Sequence, residues 1–131
     1  MARFIYRMQS ILDIKEKMEE QARMEFAAAR IRLDEEEEKL QLLKDRKTAY
    51  EEHGRELRKD SLKVLDLREN QDAIARMNEY IAYQQGHVHI AKQQLEEARY
   101  RLQTAMQESK THEKLREKAF DEFMREENAR E

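Results

Sequence analysis

From Ile74 onward the chain keeps one spacing without a slip: Ile74, Met77, Ile81, Gln84, Val88, Ala91, Leu95, Ala98, Leu102, Ala105, Ser109, His112, Arg116, Ala119 and Phe123 follow one another by three and four. Most of these stations are apolar. A 3.5-residue period holds a single stripe toward a partner helix and imposes a left-handed supercoil. Composition closes off the alternatives. Pro is absent and only two Gly occur in 131 residues, so the turns that a sheet protein requires have almost nothing to be built from. Ala, Leu, Glu, Lys, Gln, Arg and Met dominate, residues that lose little rotamer freedom in a helix. The sequence therefore predicts an all-α fold.

The pattern divides the chain into three segments. The first, 4–53, is predicted as a long helix with apolar positions Phe4, Met8, Ile11, Met18, Ala22, Phe26, Ala29, Leu33, Leu40, Leu43 and Tyr50. The step from Ala22 to Phe26 reads as a stutter that relaxes the supercoil. Glu19–Arg23, Glu35–Lys39 and Glu51–Arg55 are spaced for favourable pairs along this helix. Gly54 is predicted to end it. The span 54–71 reads as a loop and a short helix, with Lys59-Asp60-Ser61 as a start signal, Leu62, Val64, Leu65 and Leu67 as its apolar residues and Asn70 as a second break. The third segment, 72–131, is the second long helix. Helices of roughly 70 and 85 Å follow from the rise of 1.5 Å per residue. Because a helix takes most of its stability from packing one face, the expected product is a single antiparallel coiled-coil hairpin, Met1 and Glu131 at one end. Its seam residues are Met8, Met18, Leu33, Leu40, Leu43, Ile74, Met77, Ile81, Val88, Leu95 and Leu102. The polar stations, Gln84 and Ser109 through Arg116, either fix register or mark where the helices part.

Charge and chemistry narrow the function classes. Charged residues make up 42% of the chain, yet 26 basic and 29 acidic side chains leave a net charge of only −3, without the basic face that nucleic acid wants. The absence of Cys fits a reducing compartment and removes thiolate metal sites. No apolar stretch approaches the roughly 20 residues of a membrane span, and Arg7 interrupts any signal-peptide core. A cytoplasmic protein is expected. His112-Glu113 begins like a zinc-protease motif, but Arg116 stands where the second His belongs. His87 and His89 point to different faces of a helix. Asp34–Glu38 is an acidic run that reads as a solvated stretch or a contact for a basic partner. No phosphate-cradling loop and no catalytic triad can be inferred. No enzyme, metal or cofactor is expected.

Tyr6, Tyr80, Tyr83, Phe120 and Met124 fall beside the seam. Aromatic and Met side chains that a two-helix seam does not bury suit a partner interface. They would equally suit packing on the short middle helix or in a higher assembly.

Phe4-x-Tyr6-x-Met8-x-x-Ile11-Leu12-x-x-Lys15-x-Lys17, then Leu40-x-x-Leu43 and Tyr50, resembles the opening of the flagellar export protein family FliJ. The return helix resembles the same family through Tyr80-Ile81, Ala98-Arg99-x-x-Leu102-x-x-Ala105 and Glu113-Lys114-Leu115-x-Glu117-Lys118-x-Phe120-x-x-Phe123. Gln84 departs from the apolar residue common there. The resemblance implies an antiparallel coiled coil similar to the stalk of rotary ATPases, acting in type III export at the inner face of the membrane at the flagellar base. Its implied partners are the export ATPase hexamer and its regulator, the export-gate membrane protein and export chaperones. Carried onto this chain, ATPase binding falls on Phe4, Tyr6, Arg7, Ile11, Lys118, Phe120, Phe123 and Arg125, and gate binding on Tyr80, Tyr83 and His87. The free protein is expected to be a monomer.

Other readings remain open at this point. They are the matching stalk subunit of a virulence secretion system or rotary ATPase, a generic coiled-coil scaffold or tether, and a prefoldin-like chaperone, which would want β-hairpins that the middle segment has no turn residues to make.

Overall fold

The computed structural model describes residues 2–59 and 63–130. They form two α-helices, α1 (Gln9–Lys59) and α2 (Val64–Arg130), and among the described residues no strand. The helices pack against each other antiparallel, as an all-α hairpin: Lys15 meets Glu108, Glu36 meets Gln84 and Tyr50 meets Asn70.

The helix bounds differ from the sequence expectation at three places. Residues 2–6 are not helical, and a turn at Arg7–Met8 precedes α1, with the Gln9 amide donating to the Tyr6 carbonyl at 3.1 Å. Gly54, expected to end the first helix, lies inside it and takes no positive φ. A lone interior Gly costs a helix about 1 kcal/mol relative to Ala, which the packing of a long helix absorbs. The short middle helix merges into the start of α2, so Leu65, Leu67 and Asn70 belong to the long return helix. Asp60, Ser61 and Leu62 lie outside the described residues. Arg58 and Lys59 in the last turn of α1, and Asp66 in the first turn of α2, complement the helix dipoles.

The chain divides into two compact units. Met1–Ala28 with Glu96–Glu131 form the first, and Ala29–Leu95 the second. In the first, the inner positions of α1 are Leu12, Lys15, Glu19, Ala22 and Phe26, facing Ala98, Leu102, Ala105, Ser109 and His112 of α2. Leu12 is 3% exposed, whereas Met8 and Met18 are 43% and 49% exposed. The seam therefore does not pass through Met8 and Met18, and Ile11 flanks it. Choosing only apolar residues takes Ile11 and Met18 in place of Leu12 and Glu19 and passes over Lys15, which creates the need for a stutter; through Leu12, Lys15, Glu19, Ala22 and Phe26 the steps of three and four are regular. Lys15 is tolerated there because its Nζ reaches the Glu108 carboxylate at 2.9 Å while its stem covers apolar surface.

In the second unit α1 contributes Ala29, Leu33, Glu36, Leu40, Leu43, Lys47, Gly54 and Leu57 to the inner face. From α2 come Asn70, Ala73, Met77, Gln84, Val88 and Ala91, all buried, with Ile74, Ile81 and Leu95 half-buried beside them. Most buried apolar groups of both units are Ala, Val or Met rather than Leu or Phe. Burial of so little area per residue yields much less than the ~1.5–3 kcal/mol of a full Leu or Phe, so the seam stabilises the hairpin only modestly for its length. Lys39 pairs with Glu36 at 3.6 Å rather than with the predicted Glu35, whereas Glu19–Arg23 is formed at 3.5 Å.

Candidate functional site

In the first unit the non-helical 2–6 segment carries Phe4 back against α2. Its ring meets Phe120 edge-on with centroids 5.2 Å apart and Phe123 at 5.4 Å. Arg116, a polar station of the heptad, leaves the seam: its guanidinium lies 5.6 Å over the Phe4 ring and its Nε donates to Gln9 Oε1 at 2.9 Å. Aromatic pairs and cation–π contacts of this geometry each add about 0.5–1.5 kcal/mol beyond burial. Beside the cluster a cleft of about 420 Å³ is lined by Phe4, Tyr6, Arg7 and Phe123, with Glu122 and Glu126 on its α2 side. Of the residues expected to bind an ATPase, these four share the cleft and Phe120 touches it through Phe4. Ile11, Lys118 and Arg125 do not line it. Ile11 is 38% exposed and the two cations are exposed.

Elsewhere on the same unit Met18, Ala22, Tyr100 and Ala105 line a second, more apolar cleft of about 380 Å³, edged by an ion pair between Arg101 and Glu25 at 3.7 Å. Arg99 stacks over Phe26 at 5.8 Å. Tyr100 is 71% exposed; sequence reading missed it because it lies off the seam with no neighbouring aromatic to draw notice. At His112 the Nδ1 atom is buried without a hydrogen-bond partner.

In the second unit Tyr80, Tyr83 and His87 step by three and four along one face of α2. Tyr83 and His87 meet edge to face at 4.6 Å, and Tyr80 is half-exposed. Ile90, also half-exposed, falls three residues further on. The spacing that selected the first three extends to it. Behind this stripe the Gln84 side chain is buried and donates to both the carbonyl and the carboxylate of Glu36, at 2.9 and 2.6 Å. That bond holds the Glu36 carboxyl below its ordinary range, with Lys39 and His87 assisting. Among the described residues no group of three His, Asp or Glu side chains is placed to hold a metal ion, and no helix is long and apolar enough to cross a membrane.

These features define an all-α helical hairpin that offers aromatic, Met and charged side chains to the outside at separate places. The model of the family described as flagellar FliJ protein matches residues 4–131. The chain belongs to the FliJ family, and through it to the flagellar export apparatus. Comparison with curated proteins and with solved structures finds no match.

Proposed function

We propose that this FliJ-family chain acts as a stalk-like subunit of flagellar export, binding the export ATPase hexamer through the first unit and promoting its assembly and activity. The observation that carries this reading is the Phe4–Phe120–Phe123 cluster with Arg116 stacked on it. It sets an aromatic patch beside the exposed cation Arg7, which lines the same cleft. Aromatic and Arg side chains carry most of the energy at protein interfaces, and exposed cations steer and orient a partner more than they tighten it. A modest apolar patch rimmed by charge suits a contact that must be made and released.

The same reading gives the Tyr80, Tyr83 and His87 face of the second unit to the export-gate membrane protein, and leaves the ATPase regulator and export chaperones as further partners. It assigns the chain no reaction of its own and locates it in the cytoplasm, peripherally at the membrane at the flagellar base. ATP hydrolysis by the export ATPase, measured with wild-type protein and with Phe123→Ala, tests it. Stimulation should fall several-fold while helicity by circular dichroism is kept. Unchanged stimulation at equal helicity removes the cluster from the contact, and absence of stimulation by the wild type favours the scaffold reading.

A further inference from the structure

Two buried amides of α2 reach across the second unit to the main chain of α1. Asn70, 6% exposed, donates from Nδ2 to the Tyr50 carbonyl at 2.8 Å. Gln84, 8% exposed, donates to the Glu36 carbonyl at 2.9 Å and also to its carboxylate. Asn70 and Gln84 are fourteen residues apart, and so are Glu36 and Tyr50. Two heptads therefore separate the bonds on each helix, and both specify the same alignment.

Each bond also has a feature that a slipped alignment lacks. Asn70 packs where Gly54 has no side chain: a Cβ on Gly54 would stand 2.5 Å from Asn70 Oδ1. The other glycine, Gly86, is on α2 itself, so α1 offers one such gap. Gln84 finds a carboxylate as well as a carbonyl only opposite Glu36. Apart from Lys47, the remaining inner positions, among them Leu33, Leu40, Leu43, Met77, Ile81 and Val88, are aliphatic and specify no single partner. A slip by seven residues would exchange them at small cost. A buried amide left unpaired is costly, and a single polar residue in a heptad seam is an established way of selecting one register at the expense of stability.

We propose that Asn70 and Gln84, keyed to Gly54 and Glu36, form a two-point register lock that holds α1 and α2 of the second unit in one axial alignment. The lock trades packing for uniqueness, and the face bearing Tyr80, Tyr83 and His87 keeps a fixed position relative to α1 because of it.

Distance distributions between spin labels test this on the full chain, which has no native Cys. Labels on cysteines placed at the exposed positions Gln41 and Lys92 should give one narrow distribution in an otherwise unaltered protein. With Asn70→Ala and Gln84→Leu combined, a second population should appear, displaced along the helix axis by about 10 Å, one heptad at 1.5 Å per residue, with the melting temperature unchanged or raised. Should the combined variant fail to form helix, each single substitution is measured instead. A second population supports the lock. A single narrow distribution in the combined variant, or in both single variants where that one does not fold, overturns it whatever the melting temperature.

Discussion

The side chain of Asn70 occupies the space that a methyl group on Gly54 would need, with Oδ1 2.5 Å from where that Cβ would stand. Both residues are buried, and Asn70 is tied by its other amide atom to the Tyr50 carbonyl. The Asn cannot swing aside without giving up that bond inside the seam.

Gly54→Ala should therefore destabilise the protein by about 1–2 kcal/mol, because overpacking and a lost buried bond outweigh the gain in helix propensity. Gly86→Ala is the control. Nothing lies within 4 Å of a Cβ there, and Ala should stabilise by about 0.5–1 kcal/mol. Urea unfolding of the two variants separates them by sign. A stabilised Gly54→Ala protein would mean that Asn70 sits elsewhere.

Leu12→Ala should cost about 2–4 kcal/mol and Met18→Ala well under 1 kcal/mol. Leu12 is 3% exposed and Met18 49%, although simple apolar spacing favours Met18 as the seam residue. Chemical unfolding of both variants decides between the two registers. Equal losses would restore the stutter.

Glu36 gives a pH dependence with a definite sign. Gln84 donates to its carboxylate and lowers its pKa below the ordinary 4.5. A carboxyl whose folded pKa is depressed contributes stability that is present above the unfolded pKa and is lost as pH falls through the folded value. The stability of the wild type should thus drop below about pH 4.5 more steeply than that of Gln84→Leu. Parallel curves for the two proteins between pH 6 and the acid range would show that the bond does not form in solution.

Phe4 and Phe120 should couple. In a double-mutant cycle with Ala, the interaction energy is expected at about 0.5–1.5 kcal/mol, read from thermal unfolding. Phe4→Ala alone should leave helicity intact, since Phe4 precedes α1, and should expose Phe120 and Phe123. A coupling of zero would detach the 2–6 segment from α2 and with it the aromatic patch proposed to meet the ATPase.

The stripe of Tyr80, Tyr83, His87 and Ile90 is the harder part to see in a sequence. Tyr80 and Tyr83 stand out as aromatics beside the seam. Ile90 does not, because an isolated Ile in a helical run has the same local signature whether it points into a seam or out of it. The run of stations through Val88 and Ala91 already leaves Ile90 off the seam, and the burial of both agrees. Tyr100 escaped for the same reason. The Phe4–Phe120–Phe123 cluster was half legible. Its residues were marked by the family resemblance, but the non-helical 2–6 segment that brings Phe4 onto the other two has no signature in a run that also suits a helix.

By itself the sequence determined that the chain is all-α and dominated by two long helices, though it also placed a separate short helix in 54–71 that belongs to α2. Helix propensity and the 3.5-residue period are local properties, repeated often enough along α2 that no packing is needed to read them. Tertiary structure alone decided which residues of α1 face inward, because an apolar count cannot tell that Lys15 is seated by Glu108 while Met18 is left outside. It also decided the meaning of Gly54, Asn70 and Gln84. Each reads locally as a break or a weak station, and each becomes a point of alignment only when the opposite helix supplies a gap, a carbonyl or a carboxylate to receive it.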